Sequence, residues 1–179
     1  MKKTKNDVII ECIKGDIVSQ KDLAAVVNAA NAQLRMGGGV AGAIHRAAGP
    51  GLEKECQPIA PITPGEAVIT CGYELPNAYV IHCLGPVYGR DKPEDKILAK
   101  CYRNALKRAE EHEIDSVGFP AISTGAFGYP LRDAARVALG TVLEICPTLQ
   151  HVKRIRFVLH NQRVLKIHNE LLLHLIKEK

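Results

Sequence analysis

Aromatic residues make up only 4 % of the 179-residue chain and Trp is absent. A surface that stacks unpaired bases, the usual means of holding single-stranded nucleic acid, therefore has little material. No hydrophobic run approaches the ~20 residues that a membrane-crossing helix needs. The basic stretch from Met1 to Asp7 is followed only by Val8, Ile9 and Ile10 before Glu11, too short for a signal-peptide core. A cytoplasmic chain with no membrane partner is expected. The six cysteines, Cys12, Cys56, Cys71, Cys83, Cys101 and Cys146, contain no Cys-x-x-Cys pair. That removes the spaced zinc motif and, without a secretory signal, points to free thiols. His82 and Cys83 fall in mid-strand, where filling the core is the simpler role. No Gly-x-x-x-x-Gly-Lys-Ser/Thr sequence occurs, so a P-loop is excluded. No metal and no cofactor are expected.

What is present is a globular composition, 46 % hydrophobic and 24 % charged, long enough for one domain over residues 1–179 with a substantial core. The formal charge of +5 suits an anionic ligand without separating nucleotide from nucleic acid. The basic residues Lys100, Arg103, Lys107 and Arg108, and Lys153, Arg154 and Arg156, line no recognisable groove and read as solvated faces.

Along the chain, strand-length apolar runs alternate with segments of helical period. Val8 to Cys12, Ala24 to Ala29, Glu66 to Cys71, Ala78 to Leu84, Ser116 to Ile122 and Val152 to Leu159 read as strands. Helices are expected over Val40 to Ala48, stopped by Gly49 and Pro50, then over Glu94 to His112, Leu131 to Cys146 and Val164 to Ile176. No linker or repeat interrupts this order. It predicts a three-layer α/β/α sandwich around a mixed, mostly parallel sheet.

Two glycine-rich loops carry the functional signal. Gly37, Gly38 and Gly39 follow the second strand and precede a helix; Ser123, Thr124, Gly125, Ala126, Phe127 and Gly128 again lie between strand and helix. Glycine lets backbone N–H groups approach a ligand closely, and the helix behind adds unpaired donors and a positive dipole end, a recipe for phosphate. Two such loops point to a clamp on a diphosphate. Gly37, Gly39 and Gly42 formally satisfy the dinucleotide fingerprint, yet Asn31 to Met36 separate them from the strand and no strand follows the helix, so a Rossmann reading is poor. In open α/β sheets ligands sit outside the carboxyl ends of the strands, which also brings in Gly15 and Asp16 after the first strand and His160 and Asn161 after the last. On these residues alone Asp16 reads as a turn aspartate bonding its own loop.

Gly15 to Ile17, Val27 to Asn31, Gly37 to Val40, Ala43 to Pro50, Gly65 to Ala67, Tyr79 to His82 and Phe119 to Gly125 together resemble a macro domain, most closely its MacroD-type branch. The resemblance runs from Val8 to the last helix. It implies binding of ADP-ribose or ADP-ribosylated protein, with O-acetyl-ADP-ribose a possible substrate; the dispersed basic residues make nucleic acid the least expected partner. By the same resemblance Asp16 accepts a hydrogen bond from the adenine amine, with Ile17 beside it and His160 where an aromatic ring packs on adenine. Asn31 addresses the distal ribose as the candidate catalytic residue. Gly37, Gly38, Gly39 and Val40, with Ser123, Thr124, Gly125, Ala126 and Phe127, hold the diphosphate and distal ribose. Asn28 is expected to be structural, its amide bonding loop backbone, and His45 to be packed within its helix.

MacroD-type hydrolases carry Asp at the position of Ala41, where it is thought to orient the attacking water. Viral macro domains share the Ala but have histidine before the glycines, where this chain has Met36. Loss of a general base costs roughly 10²- to 10⁴-fold. Three roles therefore stand: a slow hydrolase of mono-ADP-ribosyl esters on Asp or Glu or of O-acetyl-ADP-ribose, a non-catalytic reader of ADP-ribose, and, last, an RNA or poly(ADP-ribose) binder.

Overall fold

Strands with apolar residues on both faces must be covered on both sides, and that requirement sets the layers. In the computed structural model, which describes residues 1–177, the strands are β1 (Lys2–Lys5), β2 (Val8–Lys14), β3 (Ala25–Ala29), β4 (Ala67–Cys71), β5 (Tyr79–Cys83), β6 (Ser116–Phe119) and β7 (Arg154–Leu159). They form one sheet in the order β1-β2-β7-β6-β3-β5-β4. Neighbours from β2 through to β5 run parallel, and β1 and β4 pair antiparallel at the edges. Alternation along each strand divides the core. Val27, Phe119, Ile155 and Phe157 face α3 (Glu94–Glu111), α4 (Leu131–Ile145) and α5 (Gln162–Lys177), whereas Val26, Val80 and Val158 face α1 (Gly39–Ala48) and α2 (Pro50–Cys56). This is the expected α/β/α sandwich. Glu178 and Lys179, included in the expected domain, lie outside the described residues.

Several boundaries differ from expectation, each for a local reason. β1 has no apolar pattern; it is a short, lysine-rich edge strand, a composition that discourages further pairing. The first helix does stop at Gly49, whose φ is +81°, but Pro50 then opens α2 as its first residue, where a missing N–H costs nothing. β6 ends at Phe119 because Pro120 cannot continue the ladder. Helix α5 starts earlier than the apolar pattern, since Asn161 Oδ1 accepts from Val164 N at 2.9 Å. Arg156 corrects the reading of its group as a solvated face. It is 9 % exposed, its Nε donates to Glu11 Oε1 at 2.9 Å, and both its Nη atoms bond the Asp22 carboxylate at 2.7 Å. Its hydrogen bonds hold the Asp22 carboxyl down to about 2.

Asn28 is structural but does not bond loop backbone as expected. Its Nδ2 donates to His82 Nδ1 across the β3–β5 pair at 3.1 Å, and His82 Nε2 lies 2.9 Å from Thr70 Oγ1 on β4. Thr70 Oγ1 in turn donates to the Cys71 carbonyl, so the ring proton sits on Nε2. Burial, with help from the neighbouring His45, lowers the His82 pKa to about 3.

A buried neutral imidazole makes the fold acid-sensitive with a defined sign. Below pH ~6.5 the unfolded chain takes up a proton at His82 that the folded chain refuses, so stability is complete above that pH and lost as pH falls toward 3. Urea unfolding measured between pH 7 and 4 should show His82 contributing a loss of about 1.4 kcal/mol per pH unit, and His82→Gln should flatten that part of the slope.

Candidate functional site

The carboxyl ends of β2, β7, β6 and β3, four neighbouring parallel strands, open into one cavity of about 760 Å³. Its wall includes Gly15, Asp16 and Ile17 after β2, Asn31 and Gly37 to Ala41 after β3, Pro120 to Phe127 after β6, and Val158 and His160 on and after β7. Every residue selected from the sequence as a site residue lies on this wall. The apolar Val158 and Gly85 were missed, while Ala41, singled out in the sequence, also lies on the wall. Gly85 follows β5, and the same strand-end rule would have found it.

The loop after β2 is a 3-10 turn, Ile17–Ser19, capped by Asp16 Oδ1, which accepts from Val18 N at 3.1 Å. Asp16 thus has the turn role read for it, and its exposed carboxylate also faces the cavity. Behind the turn, Arg156 donates to Gln20 Oε1 at 2.8 Å and Gln20 Nε2 donates to the Asp16 carbonyl at 2.8 Å. The buried ion cluster is therefore tied to the loop. Across the cavity mouth His160 Nε2 lies 2.9 Å from Asn161 Nδ2.

The loop after β3 is closed by one side chain. Asn31 Nδ2 donates to the Arg35 carbonyl at 2.8 Å, and its Oδ1 accepts from Arg35 N at 3.0 Å. A primary amide has a second N–H and a second lone pair, so Asn31 is oriented by one side of its amide and keeps the other for the cavity. Next, Gly38 caps α1 with φ −82° and Gly39 has φ +56°. A Cβ at either would meet nothing within 4 Å. The N–H groups of Gly37 to Ala41 donate to no group among the described residues, as expected for the first turn of a helix.

The loop after β6 has the same property. Ser123 takes φ +66°, uncommon for a residue with a side chain, and is 6 % exposed with an unpartnered Oγ against Gly85. Its carbonyl accepts from Tyr129 N and the Gly125 carbonyl from Gly128 N, while Thr124 Oγ1 binds the Ala121 carbonyl. The N–H groups of Ser123, Gly125, Ala126 and Phe127 donate to nothing among the described residues. Phe127 is half-buried against the core on the α1 side.

The wall holds no Lys or Arg, and its only side chains that titrate are Asp16 and His160. His45 is 2 % exposed, packed rather than part of the wall, and burial lowers its pKa. Met36 is exposed and also off the wall. Among the described residues no group of three or more His, Cys, Asp or Glu could hold a metal, and no helix is long and apolar enough to cross a membrane.

These features define an α/β protein with a crevice that holds no Lys or Arg and is lined largely by backbone. The profile of the family described as Macro domain matches residues 27–138, and the chain belongs to that family. It is 53 % identical over 133 residues to the ADP-ribose glycohydrolase MACROD2 of Xenopus laevis, covering 73 % of this chain and 32 % of that protein. It is 42 % identical over 167 residues to an O-acetyl-ADP-ribose deacetylase of Klebsiella pneumoniae, with 90 % and 95 % covered. Among solved structures, the Oceanobacillus iheyensis macrodomain with ADP superposes with TM-score 0.95 at 39 % identity over 100 % of this chain and 97 % of that one. The Trypanosoma brucei macrodomain in complex with ADP-ribose gives 0.82 at 39 % identity over 90 % and 68 %.

Two glycines, Gly38 in the first loop and Gly42 within α1, should respond differently to a side chain. Gly38→Val projects into open space and should leave the melting temperature nearly unchanged. In Gly42→Ala the new Cβ would overlap the Gly37 carbonyl oxygen, an overpacking that costs about 1–3 kcal/mol and lowers the melting temperature by several degrees in calorimetry.

Proposed function

We propose that the chain is a single macro domain that binds ADP-ribose in the 760 Å³ cavity and slowly hydrolyses mono-ADP-ribosyl esters on protein Asp or Glu, or O-acetyl-ADP-ribose. The observation that carries this reading is the convergence of unpaired N–H groups from residues 37–41 and from Ser123, Gly125, Ala126 and Phe127 on one cavity that holds no Lys or Arg. Preorganised main-chain donors at a helix N-terminus suit a diphosphate. The strand order supports one direction for the ligand. Asp16 and His160 follow β2 and β7, the second glycine loop follows β6, and Asn31 follows β3. Adenine therefore lies over β2 and β7, the diphosphate between the loops, and the distal ribose at Asn31.

Adenine presents an exocyclic amine to Asp16, whereas guanine presents a carbonyl that the carboxylate repels. A hydrogen bond to a charged group is worth about 1.5–3 kcal/mol. Calorimetry should accordingly show ADP-ribose and ADP binding at least about tenfold tighter than GDP. Gly38→Val should weaken ADP-ribose binding while the fold stays intact.

In the hydrolytic reading, Asn31 fixes the distal ribose through the free side of its amide. A water held near the diphosphate adds to the ester, which breaks to ADP-ribose and a free carboxylate, or to ADP-ribose and acetate. The only acid and the only imidazole on the wall, Asp16 and His160, follow β2 and β7, and beside Asn31 after β3 the wall has Gly37 to Ala41 with no acid or base. Catalysis then rests on positioning of an intrinsically labile ester. The alternative, a reader without chemistry, is favoured by the same Ala41. An RNA-binding role gains nothing from the arginines, because Arg103, Arg108, Arg154 and Arg156 are paired with Glu144, Glu111, Asp22 and Glu11.

A time course of ADP-ribose release from a glutamate-mono-ADP-ribosylated protein separates the two. The expected result is slow release that falls about 10²-fold in Asn31→Ala. ADP-ribose binding with no release would establish the reader instead.

A further inference from the structure

Most arginines of this chain are matched by its own acids. Arg90, Arg103, Arg108, Arg132, Arg154 and Arg156 each pair with Asp or Glu. Arg35 and Arg46 are exposed, and among the described residues neither side chain has an acidic partner. Both border the end of the cavity that Asn31 occupies. The Asn31 amide bonds the Arg35 main chain at 2.8 and 3.0 Å, and a Cβ on Gly37 would lie 3.2 Å from Asn31 Nδ2. Arg46 follows Gly42 by one turn of α1, so the two share a helix face. A Cβ on Gly42 would overlap the Gly37 carbonyl oxygen and lie 2.8 Å from Arg46 Nη1, which puts the guanidinium beside that same turn.

Three further features mark this rim as a surface for something other than the nucleotide. Arg35, Met36 and Arg46 all lie off the cavity wall, outside the space that the ligand fills. No Asp or Glu occurs from Leu23 to Leu52, and Glu74 stands against Gly49 at the opposite end of α1, so the two positive charges have no counterpart in their own segment. Between the arginines in sequence, Met36 is 51 % exposed. An unbranched thioether in water is an adaptable apolar contact for another side chain.

We propose that Arg35, Met36 and Arg46 form a docking rim for an acidic polypeptide segment, the residues that flank the ADP-ribosylated Asp or Glu, an inference that rests on the nucleotide reading given above. On that reading the distal ribose lies at Asn31, and the polypeptide esterified to it leaves the cavity over this rim. Esterification removes the charge of the modified residue itself, whereas acidic neighbours keep theirs. A guanidinium fork takes a carboxylate through two N–H groups, and Met36 packs on the aliphatic stems between. The apolar Met36 favours a polypeptide over a second phosphate-bearing unit, which offers it nothing to cover. These pairs form in solvent, so salt weakens them, unlike the main-chain grip on the diphosphate.

The test uses peptides bearing ADP-ribose through a hydrolysis-resistant linkage, with Glu, Gln or Lys flanking the attachment point, and measures their affinities beside that of free ADP-ribose. In the wild type the Glu peptide should bind about fivefold tighter than the Gln peptide, with Lys weakest. The Glu-to-Gln ratio, read within each variant, should fall to about one in Arg35→Gln/Arg46→Gln and invert in Arg35→Glu/Arg46→Glu. In the wild type alone, raising salt from about 0.05 to 0.5 M should erase the ratio while free ADP-ribose binds as before. Equal binding of the Glu and Gln peptides, or a ratio that survives either the double substitution or high salt, overturns the proposal and leaves the nucleotide reading standing. A dimer of ADP-ribose that binds tighter than the monomer through the same arginines, with the peptides equal, overturns it in favour of the polymer. Failure of free ADP-ribose to bind at all sinks the nucleotide reading first, and the rim with it.

Discussion

The site depends on one constraint: β2, β7, β6 and β3 are neighbours and all point the same way. Parallel strands deliver their connections to a common rim, so four loops far apart in sequence meet there without any side chain drawing them together. Three of these loops lead into α-helices, and two of them, after β3 and β6, leave backbone N–H groups unpaired at the cavity. The sheet thus gathers donors that the secondary structure cannot use internally. Both faces of the sheet must be covered for this to work, which is why α1 and α2 pack on one side and α3, α4 and α5 on the other.

The rim is stiffened from within. Arg156, on β7, joins Glu11 on β2 to Asp22 and Gln20 in the connection that follows, and Gln20 passes the constraint to the carbonyl of Asp16. Removing one member of such a cluster strands the others, so the loop bearing Asp16 is held by a network that never touches the cavity. The Asn31 clasp on Arg35 does the same for the opposite loop. Each polar residue addressed to the cavity is thereby preset by contacts on its other side.

The fold was legible because its helices and buried strands have distinct periods, and the glycine loops because glycine runs between a strand and a helix have few other uses. The ordered set of short motifs reached further than any one of them, placing Asp16, Asn31 and His160 on a common wall that composition could not predict. The sequence was silent wherever the partner is remote. Arg156 meets Glu11 across 145 positions and Asp22 across 134, so it read as one more surface cation. Asn28 found His82 rather than loop backbone for the same reason. β1 has no hydrophobic alternation to announce it, and α2 hides behind a glycine and a proline that look like a terminus.

On the function proposed above, a cavity that grips a diphosphate with main-chain N–H groups behaves unlike a basic groove, although the chain carries a formal charge of +5. No Lys or Arg stands on its wall, so filling it displaces few counterions from either partner. Screening by salt acts on separated charges in solvent and little on short hydrogen bonds to enclosed amides. So read, the cavity would hold its ligand with nearly the same strength in dilute buffer and at high ionic strength, and the net positive charge would act on the approach.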